Sequence, residues 1–215
     1  MTQFLDSYSA ELAALETLFG KEKVAQYLPR LNYIHEHTEA LWHNYASQIP
    51  GGRVNFLLIA EAPPWSEEDR PKFALDPVRS NFLTAVCKTF DYQALHPKIA
   101  LPALAERGFL LLDSIPFAMP YASQFRAKVH YDELVRLSAA SYMRRKIESS
   151  GLSFSPHLRI AFSLKMHARS ILKALDRNLH AGGQAYPLSE DMIAVNGAGY
   201  PCSTRMRAAF GFPSP

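Results

Sequence analysis

Val54-Asn-Phe-Leu-Leu-Ile-Ala-Glu-Ala-Pro-Pro64 is the stretch on which the fold turns. Residues 54–60 are an apolar run of strand length, and the run stops at Glu61-Ala62-Pro63-Pro64. Near-continuous apolarity, rather than alternation, marks a strand buried on both faces, as in parallel sheets covered by helices. In open sheets of that kind ligands bind beyond the C-terminal strand ends. Glu61 therefore reads as a candidate site carboxylate, on a loop that two prolines stiffen. The competing reading is an ordinary solvated loop acid.

Outward from this stretch, residues 3–49 read as helices. Leu5, Leu12, Leu15, Leu18 and Phe19 share one helical spacing; Leu31, Ile34, Thr38, Leu41, Trp42 and Tyr45 share another. Pro50-Gly51-Gly52 closes that region. Three further strands are predicted at 109–115, 158–163 and 192–195. Helices are predicted at 78–90, 99–107, 132–149, 164–178 and 204–210, the last capped by Ser203. Alternating short strands and helices imply an α/β fold: three α/β/α layers around a four-stranded, mostly parallel sheet. One domain is expected over 1–215, with an N-terminal helical layer at 1–52 and an α/β core at 53–215. Parallel strands would then gather Glu61, Asp113, Ser163 and Asn196 on one edge.

Composition sets the outer bounds. The 215 residues are 48% hydrophobic and 20% charged, which suits a globular domain with ample core. Two cysteines, Cys87 and Cys202, make neither a disulfide framework nor a four-cysteine metal or iron–sulfur site. The N-terminus lacks a basic and apolar leader, and no run nears the roughly 20 apolar residues of a membrane span. A cytoplasmic protein with no membrane partner is expected. A net charge of +3 permits an anionic partner without demanding one. His35 and His37 lie two apart on a helix and cannot share a metal, and the other histidines have no ligand spacing. His167 falls within the helix predicted at 164–178 and reads as a plain helical position more readily than as a site residue. No phosphate-binding glycine fingerprint is present. No metal and no cofactor are expected.

The local pattern resembles the uracil-DNA glycosylase superfamily, nearest to its iron–sulfur-containing branch. There a strand ends in Gly-Glu-Ala-Pro-Gly, and an acidic Glu-Asp-Arg and a Pro-Phe pair follow. Here the matching residues are Ala60-Glu61-Ala62-Pro63-Pro64, Glu67-Glu68-Asp69-Arg70 and Lys72-Phe73. The match spans about 20 residues; beyond it only the layout of 54–212 is similar. Asp113 stands where that family has a base-reading Asn. Asn196 stands nearest to its late His, and the four cluster cysteines are absent. Pro64 replaces the last glycine and removes a backbone donor.

The resemblance implies a DNA glycosylase-like hydrolase that flips a deaminated or altered base out of DNA and excises it, with DNA as partner. The alternative is a catalytically weakened module of the same fold that binds nucleic acid or nucleotide. Glu61 and Asn196 would be catalytic, and Ala62, Phe73 and Asp113 would hold the base. Tyr200, Ser203, Arg205 and Arg207 would contact DNA, with Tyr200 and Met206 able to wedge into the duplex. Arg126, Lys128 and Arg144-Arg145-Lys146 add basic clusters, which otherwise read as solvated helix faces. An ionised Asp113 only accepts hydrogen bonds, so it suits an amino-bearing base edge. Burial would protonate it and restore a donor. Phe73 reads as core as readily as stacking platform, and Asn196-Gly197 as a turn.

Overall fold

The computed structural model describes residues 6–76, 80–120, 123–163, 165, 167–179, 192–194 and 201–213. Two N-terminal helices, α1 (Ser9–Phe19) and α2 (Lys21–Ala46), lead through a 3₁₀ turn at Pro50–Gly52 into β1 (Arg53–Ala60). Then come α3 (Asn81–Thr89), α4 (Pro97–Glu106) and β2 (Phe109–Asp113). The short α5 (Ser123–Arg126) precedes α6 (Val129–Ser138), a π-helical turn (Ala139–Met143) and α7 (Arg144–Ser149). The described chain ends with β3 (Ser153–Phe162), α8 (Ala168–Leu179) and α9 (Ser203–Ala209).

The sheet has three strands among the described residues, in the order β2-β1-β3, all parallel. The expected fourth strand forms no ladder among the described residues. Where the fourth strand was predicted, Ile193 makes one parallel bridge to Phe162, and Val195 lies outside the described residues. Leu57 and Ile59 point to one face of β1, and Leu58 and Ala60 to the other. All four are buried, so both faces are covered. On one face Phe56 packs edge-on against Phe90 and Phe210, which brings α3 and α9 together. A second group joins α1 to α6, and α6 to α8. Gly108 (φ +73°) lets β2 start hard against β1: a Cβ there would lie 2.6 Å from the Arg53 carbonyl.

Several boundaries differ from the periodicity. The helix expected at 132–149 starts at Val129 and passes through the π-helical turn. β2 stops at Asp113, where Ser114 turns to donate to Ala60 O. β3 starts five residues early because Pro156 sits in an irregularity: residues 155–158 lie opposite Asn55 alone. α8 begins at Ala168, so His167 precedes the helix instead of lying in it.

β2 is an edge strand, and α2 covers it chemically as well as sterically. Trp42 Nε1 donates to Leu111 O at 2.6 Å, and Tyr45 Oη to Phe109 O at 2.9 Å. Residues two apart on a strand offer their carbonyls to the same side, so these two donors satisfy the free edge of β2. Trp42→Phe keeps the ring but strands the Leu111 carbonyl. A loss of about 1–3 kcal/mol is expected from urea unfolding. A loss below about 0.5 kcal/mol would mean that water replaces the indole.

Candidate active site

β1 and β2 deliver two carboxylates to one edge. Ala60 pairs with Asp113 in register, and the two chains stay bonded beyond the sheet. Ile115 N and Ser114 Oγ both donate to the Glu61 carbonyl, at 2.9 and 2.8 Å. This pins the Glu61 backbone beside the end of β2.

The Glu61 carboxylate is gripped from the segment after β2. Arg126 forks onto it, Nε to Oε1 at 2.6 Å and Nη2 to Oε2 at 2.8 Å. The buried Tyr131 hydroxyl donates to Oε1 as well. A bidentate charged pair of this kind fixes orientation as well as charge. Hydrogen bonding to Glu61 pushes the Arg126 guanidinium above its usual value. Glu61 and Arg126 stay partly open, at 25% and 37% side-chain exposure, so an incoming group can reach them.

Asp113 lies underneath, buried. Burial raises its carboxyl from 3.8 to about 7, with Glu39 and Glu61 adding to the rise and Lys146 opposing it. It is therefore poised between donor and acceptor near neutral pH.

A second charged group borders Asp113. Lys146 Nζ donates to Glu39 Oε1 at 2.5 Å and to Tyr142 Oη at 2.9 Å, and Tyr142 Oη donates to Glu39 Oε1 at 2.8 Å. Burial pushes the Glu39 carboxyl up, but Lys146, with His35 and Tyr142 adding to it, holds Glu39 below its ordinary value. The Lys146 ammonium also sits 4.2 Å from the centre of the Trp42 ring. A groove of about 740 Å³ opens over this group, lined by Tyr8, Glu39, Tyr142 and Arg145 among others.

A third group stands at the end of β3. His167 Nδ1 lies 2.6 Å from Asp132 Oδ1, which also accepts from Ser170 Oγ at 3.2 Å. The His167 ring packs 5.2 Å from that of Tyr131.

The other expected site residues that are described, Ala62 apart, do not gather around Glu61. Ala62 follows Glu61 and is half-buried. Phe73 is buried in a separate cavity of about 100 Å³ with Leu41, Tyr45, Leu75 and Leu101. Tyr45 bonds the start of β2, so this cavity lies toward the opposite end of the strand from Asp113. The acids after Pro64 are drawn onto α2: Arg30 donates to Ser66 O at 2.8 Å and Tyr33 to Asp69 O at 2.8 Å. Ser203 opens α9 at the β3 edge, because Cys202 N bonds Ala194 O and Ala194 N bonds Phe162 O. Cys202, not Ser203, is the cap residue, and its side chain makes no capping bond.

Arg205 is exposed, but Arg207 is buried and bonds Thr89 O, Asp91 and Pro213 O, so it holds the C-terminus rather than facing solvent. Met206 is fully buried and is no wedge. Asn196 and Tyr200 lie outside the described residues.

Among the described residues no group of three or more His, Cys, Asp or Glu could hold a metal ion. No helix among them is long and apolar enough to cross a membrane. Compared with protein-family models, with curated proteins and with solved structures, the chain finds no match.

Proposed function

We propose that this chain is a DNA glycosylase-like hydrolase, which extrudes a deaminated or otherwise altered base and cuts its bond to the sugar. The observation that carries the reading is the pair of carboxylates at neighbouring strand ends with different environments. Glu61 is locked to a cation, while Asp113 is buried and titrates at about 7. A carboxylate fixed by a guanidinium beside a carboxyl that burial keeps protonated suits one anionic role and one donor role.

The chemistry needs both. As the C1′–N bond breaks, the sugar gains positive charge and the base leaves with the electron pair. Glu61 would face the sugar, stabilise that charge and orient the attacking water. Arg126 and Tyr131 would hold its carboxylate in place. Neutral Asp113 would donate a hydrogen bond to a carbonyl on the departing base. The resemblance over residues 60–73 supplies the substrate class. The exposed Lys128 and Arg205 are available to backbone phosphates.

Glu61→Gln preserves shape and removes charge. In single-turnover base release it is expected to be about 100-fold slower than the wild type, with DNA affinity little changed. Equal rates would remove Glu61 from the chemistry.

One observation favours a second reading. Arg126 and Tyr131 between them engage both Glu61 oxygens, which suits a site that binds a nucleotide or nucleic acid without turnover. Its signature is retention on DNA that weakens with salt, with no base released.

A further inference from the structure

We propose that the surface strip made by Lys23, Phe19, Phe125 and Lys128 binds single-stranded DNA, with bases stacked on the two rings and phosphates paired with the two ammonium groups. The proposal rests on the glycosylase reading above and names the form of DNA that the Glu61 site meets. Its binding step can be measured without any base release.

The strip joins three helices. Phe19 ends α1, Lys23 lies in the first turn of α2, and Phe125 lies in α5 with Lys128 just beyond it. Phe19 leans on the core, and Phe125 leans on Phe19, with ring centres 4.6 Å apart and planes inclined at 35°. The Lys23 ammonium sits 5.6 Å from the centre of the Phe19 ring, and the Lys128 ammonium 5.0 Å from that of Phe125. Both rings are partly exposed, and both lysines are exposed.

Pairing sets these lysines apart from the other cations that lie over rings among the described residues. Arg30, Arg145, Lys146 and Arg207 each also donate to a backbone carbonyl or a carboxylate, which holds them in place. Lys23 and Lys128 have only the ring faces: neither ammonium bonds a carboxylate or a carbonyl among the described residues. Two cations without anions therefore flank two touching rings. A ligand that alternates flat apolar groups with negative charges complements that order, and single-stranded nucleic acid is built this way. An acidic peptide would use the lysines and leave the rings idle. In duplex DNA the bases are stacked on one another and do not reach the rings.

The lysines do not close the ring faces. A cation over a ring at an exposed site is held weakly, and a base covers far more of the ring than an ammonium does. A base that takes the ring face leaves the displaced ammonium free to turn to a phosphate. The strip also leads to the candidate site, because Arg126 follows Phe125 and forks onto Glu61. A strand whose altered base enters beside Glu61 brings its neighbouring nucleotides to Phe125 and Phe19. In a single strand that base is already unpaired, so presenting it costs less than from a duplex.

The test is fluorescence anisotropy with a labelled, lesion-free oligothymidylate of about 12 nucleotides and with a duplex of the same length. The wild type is expected to bind the single strand at least about tenfold more tightly than the duplex. Phe125→Leu keeps an apolar side chain and is expected to weaken single-strand binding about tenfold, with the salt dependence unchanged. Phe125→Tyr is expected to bind as the wild type does. Lys23→Gln and Lys128→Gln are surface changes, and each should lower the slope of log affinity against log salt by about 0.7. Binding lost through unfolding would take the salt slope with it, whereas lost stacking leaves the slope in place. Equal affinity for duplex and single strand, wild-type binding by Phe125→Leu, or an unchanged salt slope in both lysine variants would overturn the strip. Base release without single-strand preference would overturn the strip alone. Single-strand binding with no base released from any lesion would keep the strip and overturn the hydrolase reading.

Discussion

Lys146→Met is expected to destabilise the protein by about 3–5 kcal/mol in equilibrium unfolding. The Lys146 side chain is 4% exposed, and its ammonium is shared between Glu39, Tyr142 and the face of Trp42. Removing it leaves the Glu39 carboxylate, 19% exposed, with only the exposed His43 ring 3.8 Å away, a cation only when protonated, to offset its desolvation. The Tyr142 hydroxyl can still donate to Glu39, but a neutral donor does not replace a charge.

The cost belongs to the stranded partner, not to any large net worth of the pair. Buried ion pairs often contribute little against apolar residues of similar volume. Glu39→Gln/Lys146→Met should therefore recover most of the loss. A single variant as stable as the wild type would mean that Glu39 is reached by water or takes up a proton at no cost. A double variant no better than Lys146→Met alone would place the loss in packing around the aliphatic stem.

The second large effect concerns pH. Asp113 titrates at about 7 in the folded chain against 3.8 without burial. Between those values the native state keeps a proton that the unfolded state has released. Stability from this group is therefore complete below about pH 4, and is lost as pH rises through about 7. A shift of this size corresponds to up to about 4 kcal/mol.

Glu39, Glu61 and Lys146 also act on Asp113, so the wild-type profile alone is a composite. The difference between wild type and Asp113→Asn isolates the group. The wild type should lose stability from pH 4 to pH 7 relative to the Asn variant, and run parallel to it above pH 8. Parallel profiles throughout would show that Asp113 is ionised in the fold. Base release that uses the neutral carboxyl should instead hold level across the acid side of that window and fall only as pH rises through about 7.

Much of this architecture is legible in the residues. The apolar run at 54–60 marks a strand buried on both faces, and β1 forms there. Glu61 and Asp113 fall at the ends of apolar runs, and parallel pairing then places them side by side. Less visible is what surrounds them. Arg126 reads as part of a surface basic cluster because nothing local shows that it reaches back 65 residues to Glu61.

Lys146 carries a signal that charge obscures. It continues the stripe of Val135, Ala139, Tyr142 and Met143, so helical spacing alone puts it inside. Glu39 likewise falls between His35 and Trp42 on the buried face of α2. Two opposite charges, each on an apolar stripe, are the mark of a buried pair. Arg207 follows the same logic, next to the buried Met206.

His167 is harder to find. Its pairing with Asp132, 35 residues earlier, depends on a break before α8 that no proline or glycine announces. Phe73 shows the reverse error. An aromatic after an acidic loop suggests a stacking residue, but the loop folds over α2 and carries Phe73 away from the sheet edge that holds Glu61.

The most direct test of glycosylase chemistry is mass-spectrometric detection of free base. Single- and double-stranded oligonucleotides bearing uracil, hypoxanthine, xanthine or an oxidised base would each be incubated with purified protein. Release of at least one base, leaving an abasic site and strongly reduced in Glu61→Gln, is the expected result. Intact oligonucleotides across the whole panel would contradict hydrolysis at Glu61.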